Sequence, residues 1–183
     1  MEPQPATRID AAAAAPPLNF AQVYEAHAAT VWRALRRLGV READLEDVAQ
    51  EVFLVVHRKL TEFAGRSSVK TWVFGICLRV ASAHRQRAHV KRETNLEEAG
   101  ERANSGEHAV RTIALKQARV RLDEILEQLD EDKRTVFVLF ELEQLSMPDI
   151  AELVGVPQQT AWARLYAARK FIEAAVRSPE VTP

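Results

Sequence analysis

The segment LSMPDIAELVGVPQQTAWARL, Leu145–Leu165, decides how the carboxy-terminal part of the chain folds. Ser146 precedes an apolar run and is a favourable helix cap, with Asp149 at the position of a partial capping box. Gly155 suits the left-handed residue that ends a helix, and Pro157 has its φ preset for the start of another. The spacing therefore predicts two short helices joined by a tight turn, which is a helix-turn-helix.

Amphipathic helices are also predicted in the rest of the chain. Apolar residues recur at helical spacing from Phe20 to Leu38, where Gly39 ends the run. Two more helices of the amino-terminal half are predicted to be capped by Asp44 and Ser68, and the three should pack as one bundle. In the second half, we expect a helix over Ile113–Leu129, with Val120 on its apolar side, and another capped by Asp130.

Composition restricts the class of protein. The chain has 183 residues, of which 47% are hydrophobic and 28% charged, as is typical of a helical globular protein. The one cysteine, Cys77, excludes an internal disulfide, fits a reducing cytoplasm, and is expected to be a buried small hydrophobe. No apolar run approaches the roughly 18 residues of a membrane span, and the amino terminus lacks the pattern of a secretory signal. The sequence thus indicates a cytoplasmic protein with no membrane insertion.

The net charge of −1 conceals an uneven distribution. From residue 20 to 92 there are 13 lysines and arginines against 7 acidic residues, whereas from 93 to 183 there are 11 against 17. Between residues 63 and 92, seven basic residues occur with no acidic one. A block of one sign favours a surface that binds a polyanion, although a solubilising helix face is the alternative.

The sequence predicts an all-α fold made of two small helical domains joined by a flexible linker. The boundaries are a disordered arm at 1–18, a first domain at 19–91, a linker at 92–111 and a second domain at 112–177. The linker offers almost nothing to bury, so we expect the two domains to move independently in the free protein.

Four stretches, in this order, resemble the extracytoplasmic-function (ECF) sigma factors of bacteria. They are DLEDVAQEVFLVVHRKL (Asp44–Leu60), VKTWVFGICLRVASAHRQR (Val69–Arg87), LDEDKRTVFVLFELEQLSMPDIAELVGV (Leu129–Val156) and TAWARLYAARKFI (Thr160–Ile172). The resemblance implies that the first domain is sigma region 2, which binds core RNA polymerase and melts the −10 promoter element. It implies that the second is sigma region 4, which reads the −35 element, and that an anti-sigma factor is a further partner.

The resemblance also implies which residues make these contacts. It places polymerase binding on one helix, at Asp44, Asp47, Gln50, Glu51 and Phe53. Contacts of the −10 module with promoter DNA fall to Arg66, Lys70, Trp72, Arg79, Arg85 and Arg87. Contacts of the −35 module fall to Gln158, Gln159, Thr160, Trp162, Arg164 and Arg169.

Helical geometry agrees with part of this assignment. Asp47, Gln50 and Glu51 lie one turn apart, on the side away from the apolar positions of the same helix. Glutamine bonds adenine bidentately, so Gln158 and Gln159 at the start of a recognition helix can read bases without charge. Trp72 shares an apolar stripe with core residues, so packing competes with DNA binding as its role.

The sequence departs from the family pattern at several positions. Arg79-Val80 and Ala83 replace an Asn-Val pair and a following Asp, while Trp162 and Ala167 replace a Lys and an Arg of the recognition helix. These changes leave open a degenerate sigma-like protein with weak −35 recognition. A stand-alone helix-turn-helix regulator is a further alternative, but it has no use for the Asp47, Gln50 and Glu51 edge.

An enzyme is the least supported class. The five histidines have no acidic residue three or four positions before them and form no His-x-x-x-His pair. The sequence also has no glycine-rich phosphate loop and no nucleophile signature. We therefore expect no catalytic residues, no metal, no cofactor and no small-molecule substrate.

Overall fold

The computed structural model of the chain describes residues 18–94 and 110–177, with side chains for 18–88 and 117–177. Within those ranges every regular element is helical, which confirms the all-α prediction. Residues 18–94, here called module one, contain α1 (Phe20–Arg37), α2 (Leu45–Lys59) and α3 (Val69–Thr94). Residues 110–177, module two, contain α4 (Val110–Gln128), α5 (Glu131–Phe137), α6 (Met147–Val154) and α7 (Gln158–Arg177).

Three predicted helix caps are confirmed. The Ser68 hydroxyl accepts the N–H of Thr71 at 3.0 Å at the start of α3. Asp130 accepts the N–H of Lys133 at 3.0 Å before α5. Ser146 accepts an N–H from the first turn of α6 at 3.3 Å. These bonds satisfy donors that a helix start leaves free, which is why the boundaries were readable from sequence.

Gly155 ends α6 as predicted, with φ 68° and ψ 35° in the left-handed region. Apart from its chain neighbours, no atom of the described residues lies within 4 Å of a Cβ placed at Gly155, so the backbone conformation alone explains the glycine. The chain then turns directly into α7, which completes the helix-turn-helix.

Asp44 does not cap α2, and that prediction was wrong. It ends a 3-10 turn, Glu42–Asp44, with a helical backbone and no capping bond from its side chain. Its carboxylate instead accepts from Arg41 Nε at 2.7 Å and lies 3.2 Å from His84 Nε2. Burial acts to raise the pKa of Asp44, but the bonds from Arg41 and His84 outweigh it and lower that pKa. Asp44 therefore joins the start of α2 to α3.

Module one has a core formed by all three of its helices. Its largest fully buried side chains include Leu35, Leu45, Phe74 and Ile76. Each comes from the apolar stripe of an amphipathic helix, so burying the stripes against one another provides the driving force for the bundle.

Module two departs from the prediction in two details. Val120 is 51% exposed, whereas Ile125 and Leu126, further along α4, are buried. The predicted helix after Asp130 changes to a π-helical turn, Val138–Leu142, which ends with the Glu143 N–H bonded to the Val138 carbonyl at 3.0 Å. Such a turn has no local sequence signal.

The two modules pack against each other in this structure, while the expectation that they move independently in the free protein stays a prediction. Buried side chains of both modules form one continuous cluster, and α3 contacts α6 while α1 contacts α4. The expectation rested on the weak apolar content of the linker, whereas the contact is made by helix faces.

Residues 1–17 and 95–109 lie outside the described part of the chain. The predicted arm, apart from Leu18, and most of the predicted linker therefore lie outside it as well. Helix α3 ends at Thr94 and α4 begins at Val110.

Candidate polymerase and nucleic-acid interfaces

The outer side of α2 is polar and accessible. Asp47 and Gln50 are exposed, and Glu51 is half-exposed. Glu51 Oε2 accepts from Arg87 Nη2 of α3 at 3.0 Å, at the surface. The opposite side of α2 supplies core residues such as Val52 and Val56, each fully buried. The structure therefore brings Asp47, Gln50 and Glu51 together on one accessible edge.

Phe53 does not belong to that edge, which corrects its assignment to polymerase binding. It is 6% exposed, and its ring lies 4.7 Å from the ring of Tyr24, edge to face. The accessible apolar side chain is its neighbour Leu54, which is 51% exposed. Leu54 stands seven positions after Asp47, so both lie on the same helix face. The seven-residue spacing is the feature of the sequence that indicates Leu54, which was not among the predicted residues. Asp44, bonded to Arg41 and His84, also stands apart from the edge.

The loop before α3 and its first turn hold an aromatic pair. The ring centroids of Phe63 and Trp72 are 5.1 Å apart, tilted by 51°. Trp72 is half-buried, so one part of its indole packs on the core while the rest remains accessible. Arg66 is exposed in the same loop. This position suits a base that has left a duplex, because an aromatic face replaces the stacking it has lost.

The predicted cations of α3 do not share one face. Arg87 points towards α2, where it pairs with Glu51, and Arg79 is exposed. Lys70 and Arg85 point towards module two: Lys70 Nζ donates to the Glu143 carbonyl, and Arg85 to the Glu131 carboxylate. Their angular spread follows from their spacing, since residues 9, 15 and 17 positions apart do not fall on one stripe of a helix.

The start of α7 presents polar side chains to solvent. Gln158, Gln159 and Thr160 are all exposed. On the inner side, Ala161 and Leu165 are fully buried against the rest of module two. The helix is thus held by one face while its amino-terminal residues are free to enter a groove.

An aromatic surface continues along α7. Trp162 is 47% exposed, and its ring meets that of Phe140 at 5.3 Å, edge to face. Tyr166, one turn further, is 71% exposed and was not among the predicted residues. Its position four residues after Trp162, one turn along the same helix face, is the feature of the sequence that indicates it.

Acidic residues of module two pair with the two arginines predicted to bind DNA. Arg164 donates to the carboxylate of Asp132. Arg169 Nε donates to Glu141 Oε1 at 2.6 Å, and its guanidinium lies 5.6 Å from the Phe140 ring centroid. These are surface pairs of small net stability, so a phosphate can replace the carboxylate.

Comparison with known proteins places both modules in one family. Residues 23–89 match the family model for Sigma-70 region 2, and residues 119–172 match the model for Sigma-70, region 4. The RNA polymerase sigma-H factor of Pseudomonas aeruginosa is 34% identical over 143 residues, which are 73% of this chain and 74% of that protein. The chain belongs to the extracytoplasmic-function sigma factors.

Two further comparisons agree. The ECF RNA polymerase sigma-E factor of Haemophilus influenzae is 33% identical over 142 residues, which are 73% of this chain and 75% of that protein. The solved structure of the sigma factor RpoE with the anti-sigma factor NepR from Bartonella quintana has a TM-score of 0.70, at 17% identity. It covers 88% of this chain and 98% of that one, and it shows the shared fold.

This sigma factor therefore acts in transcription initiation, where it binds core RNA polymerase and promoter DNA and catalyses no reaction of its own.

Cys77 is a core residue of this sigma factor. Its side chain is fully buried, and burial raises the pKa of its thiol to about 12. Such a thiol remains protonated at neutral pH and has little nucleophilic character. None of the helices in the described ranges combines the length and the apolar character that a bilayer crossing requires.

Proposed function

We propose that the α2 edge of Asp47, Gln50, Glu51 and Leu54 is the surface by which this ECF sigma factor holds core RNA polymerase. The observation that carries the proposal is an exposed leucine within an acidic, accessible edge, on a helix whose other face is core. An interface commonly combines an apolar anchor with charged groups that set orientation and association rate. The acidic pair implies a basic surface on the polymerase.

Replacing Leu54 with alanine is expected to weaken core polymerase binding about tenfold, equal to ~1.4 kcal/mol, because the anchor loses its buried area. Binding is measured by fluorescence anisotropy with labelled sigma factor and purified bacterial core RNA polymerase. Val120→Ala is the matched control, since Val120 is also 51% exposed but lies on α4. Equal affinities of the two variants would place the polymerase elsewhere.

In the proposed promoter complex, module one contacts the −10 element. Arg66, Arg79 and Arg87 neutralise phosphates, and the Phe63 and Trp72 pair supports an unstacked base. Lys70 and Arg85 also neutralise phosphates, but only after their hydrogen bonds to module two are broken. About four phosphate contacts made by these five cations imply a steep salt dependence, at roughly −0.7 to −0.9 log units per contact.

Module two is proposed to read the −35 element with the amino terminus of α7. Gln158 and Gln159 read base edges, Thr160 and Trp162 flank them, and Arg164 and Arg169 hold phosphates. Support comes from the exposure of the two glutamines and from the helix-turn-helix that presents them.

Gln159→Ala is expected to cost ~1–3 kcal/mol at one upstream base position and to leave the salt dependence of binding unchanged. Arg169→Gln should instead weaken binding to all sequences and flatten the salt slope by about 0.9. Filter binding of the holoenzyme to promoter variants at several salt concentrations measures both.

A second candidate is a sigma factor whose module two reads DNA poorly. Trp162 stands where the family has lysine and packs on Phe140, while both arginines of α7 are paired with acids of the same module. If Gln158→Ala and Gln159→Ala leave promoter choice unchanged, this candidate is favoured, and recognition depends on module one.

We also propose an anti-sigma factor as a regulatory partner, because the Bartonella quintana sigma factor of the same fold was solved with one. The proposed place of action is the cytoplasm, where RNA polymerase transcribes.

A further inference from the structure

One aromatic side chain of α7 is held in place although it is exposed to solvent. Trp162 is 47% exposed, and its ring lies 5.3 Å from the ring of Phe140, edge to face. This arrangement of two rings is favourable, so each ring restricts the rotation of the other. Phe140 packs against the buried core cluster, which attaches Trp162 to the body of module two. The indole is therefore a preorganised apolar surface.

The position of Phe140 depends on the π-helical turn, Val138–Leu142, to which it belongs. Turns of this kind are frequent at functional sites. From the same turn, Glu141 accepts from Arg169 Nε at 2.6 Å, and the Arg169 guanidinium lies 5.6 Å from the Phe140 ring centroid. The turn thus supports α7 at two side chains, Trp162 and Arg169, that lie two helical turns apart.

Trp162 continues the surface with which module two is proposed to read bases. It follows Gln158 and Gln159 by four and three positions, so the three lie within an arc of about 100° on α7. A helix rises 1.5 Å per residue, which puts Trp162 about 5 Å beyond the glutamines, whereas successive base pairs are about 3.4 Å apart. Trp162 therefore faces a base within about two pairs of the one that Gln159 faces.

The chemistry of the indole selects the group that it can read. Its one polar atom is the Nε1–H donor, and the ring carries no positive charge with which to neutralise a phosphate. On the base edges of the major groove, the apolar group is the C5-methyl of thymine, whereas the other bases present polar edges. Packing this methyl on an aromatic face removes apolar surface of both groups from water.

The charge along α7 favours DNA as the occupant of this surface. From Gln158 to Ile172 the helix has no acidic residue, and Lys170 is exposed two turns beyond Trp162. The aromatic surface is also continuous with the exposed glutamines, so a molecule that lies on the glutamines covers the indole as well. Promoter DNA meets both conditions, because it is a polyanion and has apolar methyl groups on its base edges.

We propose that Trp162 is a specificity-determining residue of this sigma factor and reads the C5-methyl group of one thymine in the −35 element. The inference rests on the proposed function, because it takes the amino-terminal half of α7 as the part that enters the major groove. It adds the chemical class of the group that is read, which is a methyl group and not a phosphate. The −35 element should therefore contain a thymine within about two base pairs of the base that Gln159 reads.

The test replaces thymines of a promoter one at a time by deoxyuridine, which lacks only the methyl group. The promoter is a host genomic fragment that the holoenzyme transcribes, and each thymine of its −35 element is replaced in turn on either strand. One replacement should weaken holoenzyme binding about fourfold in competition filter binding. This factor corresponds to ~0.8 kcal/mol, the contribution of one buried carbon group.

Variants at Trp162 identify the residue that senses the methyl group. Trp162→Ala should weaken binding to the unmodified promoter at least fourfold and make the thymine and uracil promoters equivalent. Trp162→Lys should also remove the difference, and it should steepen the salt slope by about 0.9 because a lysine adds a phosphate contact. Circular dichroism should show the same helicity for both variants, since the substituted side chain is at the surface.

Phe171→Ala is the matched control. It removes another exposed aromatic ring of α7, nine positions after Trp162 and on the opposite side of the helix. This variant should keep the fourfold difference between thymine and uracil.

Equal binding of the wild-type holoenzyme to all uracil promoters overturns the inference, and so does a fourfold difference that persists in Trp162→Ala. If Trp162→Ala weakens the binding of core polymerase in the absence of DNA, the ring contacts the polymerase and the inference is also overturned. Base-pair exchanges in the same element distinguish these results from a failure of the proposed function. If no exchange alters wild-type binding, module two does not read the −35 element, and the inference falls with that function.

Discussion

Reversing both acidic charges of the α2 edge, Asp47→Lys with Glu51→Lys, is expected to weaken core polymerase binding roughly a hundredfold or more. Like charges brought together at an interface cost several kcal/mol, and about 3 kcal/mol already corresponds to a hundredfold. Glu51 also loses its surface pair with Arg87, which contributes little to stability. The fold should therefore survive, and anisotropy titrations with core polymerase measure the loss.

The control for this double variant is Glu25→Lys with Glu62→Lys. Both carboxylates are exposed in module one, so the change in net charge is the same while the α2 edge stays intact. Circular dichroism should show equal helicity for both variants. A comparable loss of affinity in the control would mean that overall charge, and not this edge, governs binding.

Phe74→Ala is expected to lower the free energy of unfolding by ~3–5 kcal/mol. The side chain is 1% exposed and is among the largest fully buried ones, so its removal loses apolar burial and leaves a cavity. Stabilities of small domains are about 5–15 kcal/mol, so the variant should be close to unfolding at moderate temperature.

Urea denaturation followed by circular dichroism measures this loss. Phe171→Ala is the comparison, because Phe171 is 38% exposed on α7 and should cost far less. Similar costs for the two phenylalanines would show that module one does not depend on the core described here.

The local features of the fold could be predicted from the sequence because their causes are local. The Ser68, Asp130 and Ser146 caps and the left-handed Gly155 each depend on residues within four positions. Asp44 looked like a cap by the same rule. Its partner His84 lies 40 positions away, and no local pattern shows which contact prevails.

The candidate polymerase edge could be predicted in part. The spacing of Asp47, Gln50 and Glu51 was sufficient to put them on one face, but Phe53 was assigned to polymerase binding although its spacing also fits the buried face, and Leu54 was not among the predicted residues. Successive helix residues differ by about 100°, so only the position of the core decides which of two neighbours is buried. Phe53 turned inwards because Tyr24 of α1 receives its ring.

The contact between the modules was out of reach of sequence reasoning. The composition of the linker predicts its polar character, but it does not predict whether helix faces of the two modules pack against each other. Gly75 was the one visible hint, since glycine in a helix interior lowers stability unless a neighbour needs the space. Which neighbour needs it, Leu153, appears only in three dimensions.

We propose that this chain directs RNA polymerase to promoters through the α2 edge and its two DNA-binding modules. The most direct test is run-off transcription of host genomic DNA by purified core polymerase, with and without the chain, followed by sequencing of transcript 5′ ends. We expect chain-dependent start sites that share a −10 and a −35 element, and we expect Asp47→Lys with Glu51→Lys to abolish them. The absence of chain-dependent start sites, or start sites that survive the reversal unchanged, would contradict the account.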